Sequence, residues 1–260
     1  MKIVAKSIIR QVNDRADASC LNLGLGEPGF PPPRAVLDHV RENLADWKAG
    51  YSAVEGLPEL RRAVAEAAAA DGGEAIDPGR VLVTAGSQEA LFVLLTTLLD
   101  PGDEVLVPDP GFPAYPAIAR VAGGVPVAYP LRVEAGYGLV PEDILTRITS
   151  RTKAVVLNSP NNPTGAVYGE EALSRLAAGL SGSGIPVLAD ECYRSLTYGP
   201  STRSFLRLYP DAVAVGSLSK SHALTGWRLG WMIVPPRLAG TFSGVHQLAV
   251  TCANVVSQRA

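Results

Sequence analysis

The chain has 260 residues, 47% of them hydrophobic and 18% charged, with a formal net charge of −2. That balance excludes a disordered chain, and a chain of this length buries on the order of 75% of its extended surface, which excludes a small stapled scaffold. Near-neutrality without a Lys/Arg run also argues against a nucleic-acid partner, because such affinity comes mostly from neutralised phosphates.

Met1 to Gln11 is apolar only in pieces broken by Lys2, Lys6 and Arg10, so it lacks the apolar centre of a secretory signal. Cys20, Cys192 and Cys252 stand at unrelated spacings, which points to neither a disulfide framework nor a metal site and fits a reducing cytosol. Periodicity places helices over about Arg34 to Trp47 and Pro58 to Ala70, the second opening on Pro58 and Glu59. After Asp77-Pro78-Gly79 a short apolar strand, Val81 to Thr84, leads into a helix from Ser87 to Leu99 that stops at Asp100-Pro101-Gly102-Asp103. Further strands are expected at Glu104 to Val107, Val125 to Tyr129, Ala154 to Leu157, Pro186 to Ala189, Ala212 to Val215 and Leu229 to Val234. Continuous apolar strands alternating with helices predict an α/β fold of three layers, a mostly parallel sheet with helices on both faces. The uncharged run Leu238 to Gln258 contains Ser243, His246, Gln247, Asn254 and Ser257, and reads as a packed helix rather than a membrane span.

In such sheets ligands collect beyond the carboxyl ends of the strands, and the polar motifs of this chain sit there. Gly24-Leu25-Gly26-Glu27-Pro28-Gly29 has the letters of a dinucleotide fingerprint, but Pro31 to Pro33 follow where a helix should begin, so it reads as a turn whose backbone faces a ligand. Ser87 and Gln88 open a helix directly after a strand, which is either a phosphate site or a plain helix cap. In Asn158 to Gly165, prolines at 160 and 163 fix the backbone around the asparagines. Asp190 and Glu191 close a buried strand and call for a cation, either an arginine in an ion pair or a protonated heterocyclic nitrogen. Lysine is scarce, with five in the chain, and Lys2, Lys6, Lys48 and Lys153 read as solvated. Lys220 is different: it ends a buried strand among hydroxyls, and burial with Arg228 nearby would lower its pKa and make it a nucleophile able to form a Schiff base. Ser217, Ser219 and Arg228 would supply phosphate donors.

Jointly, these motifs resemble the class I/II aminotransferases, fold-type I enzymes dependent on pyridoxal 5′-phosphate. They occur in family order: Gly26-Glu27-Pro28, Tyr51 ahead of Gly56-x-Pro58-x-Leu60-Arg61, Gly86-Ser87-Gln88, Pro108 to Tyr115, Asn162-Pro163-Thr164-Gly165, Asp190-Glu191-x-Tyr193, and Ser217-x-Ser219-Lys220 with Arg228 eight residues on. The resemblance implies that Lys220 forms the Schiff base and carries the proton, while Asp190 keeps the pyridine nitrogen protonated. Tyr193 and Asn162 would bond the ring oxygen, and Phe112 would stack on the ring. Ser87, Gln88, Ser217, Ser219 and Arg228 would hold the phosphate. Tyr51 would come from the neighbouring subunit of a homodimer, and Gly26 and Asn162 would approach the substrate carboxylate. The implied activity is transfer of an amino group between an amino acid and a 2-oxo acid in the cytoplasm, with no metal, membrane or nucleic acid involved.

Residues 1–45 would form an N-terminal arm and part of a small domain, and 46–260 the large cofactor-binding domain. Family members continue into a C-terminal small domain carrying an arginine that grips the α-carboxylate. Here the chain ends at Ala260, within the helix expected after Pro236, and Arg259 comes too early to be that arginine. The apolar positions Val36, Leu37, Val40, Leu44 and Trp47 would then lack a covering surface, and amino acid affinity would be weak. Three readings stay open: an aminotransferase whose clamp comes from elsewhere, a β- or γ-lyase on the same fold, and a remnant that holds the cofactor without turnover.

Overall fold

Residues 8–17, 19–48, 50–70, 75–199 and 203–260 are described by the computed structural model. Segment 1–7, with the expectations for Lys2 and Lys6, lies outside the described residues. In chain order the elements are α1 (Ile8–Asn13), α2 (Arg34–Asn43), α3 (Pro58–Ala69), β1 (Val81–Thr84), α4 (Ser87–Leu98), β2 (Glu104–Asp109), α5 (Ala114–Ala122) and β3 (Val125–Pro130). They continue with α6 (Pro141–Leu145), β4 (Thr152–Asn158), α7 (Glu170–Leu180), β5 (Val187–Asp190), β6 (Ala212–Ser217), α8 (Leu218–Ser221), β7 (Gly230–Ile233), α9 (Pro236–Val250) and α10 (Val255–Arg259).

The strands form one sheet in the order β1-β7-β6-β5-β4-β2-β3. Side chains alternate across it, as the strand period of two requires. Leu82, Val105, Val107, Ala154, Val156, Leu188, Val213 and Val215 pack with α4, α5 and α9 on one face. Leu106, Val155, Leu157, Val187, Ala189 and Ala212 pack with α6 and α7 on the other, where α3 also covers Val81, Ala214 and Ile233. Coverage on both sides explains why the strands read as continuous apolar runs.

Three expectations need correction. The strand at Leu229 to Val234 is antiparallel to both neighbours, β1 and β6. Its connection, residues 218–229, holds only α8 and a 3₁₀ turn at Thr225–Trp227, so the chain re-enters the sheet from the end it left. The helix at Arg34 ends at Asn43 rather than Trp47; none of its residues is buried, and Leu44 just after it is 49% exposed. The run Leu238 to Gln258 is not one helix, because Thr251 takes a φ of 66° and α10 starts afresh under an Asn254 cap, so the chain does not end inside the helix that opens at Pro236. Among the described residues, no helix is long and apolar enough to cross a membrane.

Candidate active site

Strand register lines up the site. Thr84 pairs with Gly230 and Gly230 with Ser217, while Asp190 pairs with Val215 and Asn158. The carboxyl ends of β1, β4, β5 and β6 therefore share one rim, and the reversal of β7 brings its first residue, with Arg228 just before it, to that rim.

Lys220 lies on the single turn of α8, which Ser217 caps by accepting the Ser219 N–H. Its Nζ donates to the Gly26 carbonyl at 3.0 Å. Gly26 sits at φ 62°, where a side chain would be strained, so the glycine turn serves to bring a carbonyl to the amine. Burial depresses the Lys220 pKa and Arg228 adds to the effect, against the opposing pull of Cys192 and Glu27.

Asp190 is 6% exposed and accepts from the Tyr115 hydroxyl at 2.8 Å and the Cys192 N–H at 3.2 Å. Burial raises its carboxyl pKa, opposed by those donors. Among the described residues no lysine or arginine forms an ion pair with it. Glu191 resolves the other way: Arg194 Nη1 stands 3.9 Å from it, and Ser204 Oγ and the Phe205 N–H donate to Oε1. Of the two carboxylates, Glu191 is the one with an arginine nearby.

Burial lifts Glu191 from 4.5 to about 7. The folded state therefore binds this proton more tightly than the unfolded chain does. Its contribution to stability is full below pH 4.5 and is lost as pH rises through about 7. Glu191→Gln should flatten that part of the stability profile, and denaturation midpoints measured across the window check it; a variant profile as steep as wild type would contradict the assignment.

Asn162 Nδ2 donates to the Tyr193 hydroxyl at 3.4 Å, and the Asn162 N–H is fixed at 2.7 Å on Asn158 Oδ1. Burial, with Asp190 and Cys192 adding, pushes the Tyr193 phenol up to about 12 and keeps it a donor. Phe112 stands edge-on to Tyr115, with ring centroids 5.6 Å apart. The Ser217 hydroxyl lies 2.8 Å from Ser219 Oγ and 3.2 Å from the Leu229 carbonyl, so its hydrogen is used internally. Ser219, accepting from Ser217, keeps its own hydrogen for a ligand. Tyr51 is 86% exposed and takes part in none of these bonds.

At the end of β1, Gly86 caps α4 at φ 79°. The N–H groups of Ser87 and Gln88, first in the helix, have no acceptor one turn back within it, and the positive helix end favours an anion there. A Cβ on Gly86 would lie 2.6 Å from Arg228 Nη2, so the glycine is what lets the guanidinium reach the loop. Arg228 is held by the Thr225 and Ala85 carbonyls. Gly86→Ala should cost about 1–3 kcal/mol of stability, because a side chain is strained at this φ, read by urea denaturation; an unchanged midpoint would contradict the strain.

These groups fit pyridoxal 5′-phosphate. A buried carboxylate lacking a cation suits a pyridinium nitrogen, a phenol and an amide suit the ring oxygen, a desolvated amine suits an aldehyde, and the Gly86 cradle suits a phosphate. Sequence reasoning gave no role to Tyr115, although a buried phenol near a strand end needs a polar partner, nor to Asn158, whose amide donates to the Asp190 carbonyl while it positions Asn162.

The aminotransferase class I and II family matches residues 18–258. The chain is 37% identical to a probable aspartate/prephenate aminotransferase of Aquifex aeolicus over 92% of its length, and 38% identical to the aspartate/prephenate aminotransferase of Thermus thermophilus over 94%. It spans only 62% and 64% of those two relatives. The solved aspartate aminotransferase of Thermus thermophilus with maleate superimposes with a TM-score of 0.88 at 39% identity, covering 91% of this chain and 62% of that one. That of Thermotoga maritima gives 0.88 at 33% identity, over 96% and 67%. On a family match that spans nearly all of its length, this chain belongs to the aminotransferase class I and II family.

Proposed function

We propose that the protein is a pyridoxal 5′-phosphate-dependent aminotransferase that moves an amino group between an amino acid and a 2-oxo acid, with the cofactor attached through Lys220. One observation carries the reading: the half-buried Lys220 amine shares a single sheet rim with a buried carboxylate that lacks a cation and with an anion cradle at a helix start. When bound, the cofactor supplies an aldehyde for the amine and a ring that withdraws electrons from the substrate. Lys220 Nζ, its pKa lowered by burial, would hold the cofactor and would be the base that takes and returns a proton at the α-carbon of the substrate. Asp190 would hold a proton on the ring nitrogen. Asn162 and Tyr193 would donate to the ring oxygen, and Phe112 would pack on the ring. Ser87, Gln88, Ser219 and Arg228 hold the phosphate, with Ser217 acting through Ser219. Gly26 and Asn162 border the place of the substrate carboxylate.

The proposal includes a cytosolic homodimer in which the exposed Tyr51 reaches the neighbour's site, with residues 1–45 as an arm and 46–260 as the cofactor domain. L-Aspartate is the first amino acid to test, since the similar proteins are named for it. The experiment supplies the protein with pyridoxal 5′-phosphate and an amino acid mixture containing L-aspartate, with and without a 2-oxo acid acceptor. Sustained formation of a new 2-oxo acid that depends on the acceptor is expected. Acceptor-independent release of pyruvate and ammonia would replace the reading with an elimination, and cofactor binding without turnover would overturn it.

A further inference from the structure

His246 on α9 is fully buried, with Nε2 3.0 Å from the Val54 carbonyl and Nδ1 2.6 Å from Glu89 Oε1. A carbonyl only accepts, so Nε2 carries a hydrogen. A bare ring nitrogen and a bare carboxylate oxygen at 2.6 Å would repel, so a second proton lies between Nδ1 and Oε1. Wherever that proton sits, the pair is neutral as a whole.

The other oxygen of Glu89 faces the cradle. Oε2 accepts the Ala85 N–H at 2.5 Å, one residue before Gly86, while the Gly86 N–H goes to the Thr84 carbonyl at 2.8 Å. The loop's first two N–H groups are thereby tied inward. Those of Ser87 and Gln88 remain for an anion. Glu55 lies on the same side, accepting from Ser243 Oγ at 2.6 Å, one turn before His246. A Glu89 carboxylate without the shared proton would put a second negative charge behind the cradle.

We propose that Glu89 and His246 are positioning residues of the anion cradle: Glu89 shapes the Ala85-Gly86 loop, and the proton held by His246 cancels the charge that would otherwise oppose a bound phosphate. The inference rests on the reading of Ser87 and Gln88 as a phosphate site, and it adds a source of phosphate affinity that touches no ligand. An uncancelled charge a few ångströms behind the site weakens anion binding by on the order of tenfold or more.

The test compares pyridoxal 5′-phosphate with pyridoxal, which share ring and aldehyde, by absorbance titration of the full chain freed of cofactor. Wild type should prefer the phosphorylated form; lack of preference would overturn the cradle itself and this role with it. His246→Phe should lose about tenfold or more of the preference while its affinity for pyridoxal holds, and adding Glu89→Gln, which removes the charge, should restore most of it. A merely structural tie between α9 and α4 would weaken both ligands equally and would not be rescued, which would overturn the inference. Should His246→Phe fail to fold, Glu89→Ala against Glu89→Gln decides. Glutamine can accept from Ala85 and donate to Nδ1, so only the alanine variant should lose the preference. Equal preference in both would overturn the proposal.

Discussion

Replacing Asp190 with asparagine slows removal of the α-hydrogen of a bound amino acid by several orders of magnitude while leaving covalent attachment at Lys220 intact. In the proposed function the Asp190 carboxylate would stabilise a protonated ring nitrogen, and without that proton the ring withdraws electrons poorly. Asparagine keeps the larger part of the structural role and gives up only the acceptor of the Cys192 N–H. Its amide oxygen still accepts the Tyr115 hydroxyl, which in the structure lies 2.8 Å from Asp190 Oδ2. Alanine would also leave that fully buried phenol without a partner, at a cost of about 1–3 kcal/mol in stability. Exchange of the α-hydrogen of L-aspartate with deuterated water, followed by NMR, reads the rate directly. Wild-type exchange in Asp190→Asn would make the carboxylate a structural acceptor for Tyr115 and nothing more.

Lys220→Ala should have the second large effect, because on the proposed reading it removes the attachment point and the proton carrier together. Loss of the general base alone costs about 10²–10⁴ in rate. The amine makes one hydrogen bond, to the Gly26 carbonyl, from a half-buried position. Stability should therefore stay within about 0.5 kcal/mol of wild type. A small primary amine added to the variant should recover part of the exchange rate, and Lys220→Arg should recover none. Undiminished exchange in Lys220→Ala would move the base elsewhere.

The layers of the fold were legible because burial on both faces leaves continuous apolar runs, and β1 was read at its observed limits, Val81 to Thr84. The reversal of β7 was not. An apolar run carries no direction, and only the two short turns between Ser217 and Gly230 impose it. The break at Thr251 escaped for a similar reason, since nothing in an uncharged stretch marks one positive φ. Within the site, residues adjacent in sequence to a strand end were legible as a group. Partners drawn from other elements were not: Tyr115 reaches Asp190 across 75 positions and His246 reaches Glu89 across 157. Such contacts follow from packing, and a single sequence offers only the hint that a buried phenol or imidazole must be satisfied.

The central claim, that this rim binds pyridoxal 5′-phosphate through one particular lysine, is tested most directly by reducing the protein with borohydride in the presence of the cofactor and mapping the modified peptide. Lys220 should carry the label in stoichiometric yield. Label on an exposed lysine such as Lys153, or bound cofactor with no label at all, would contradict the account.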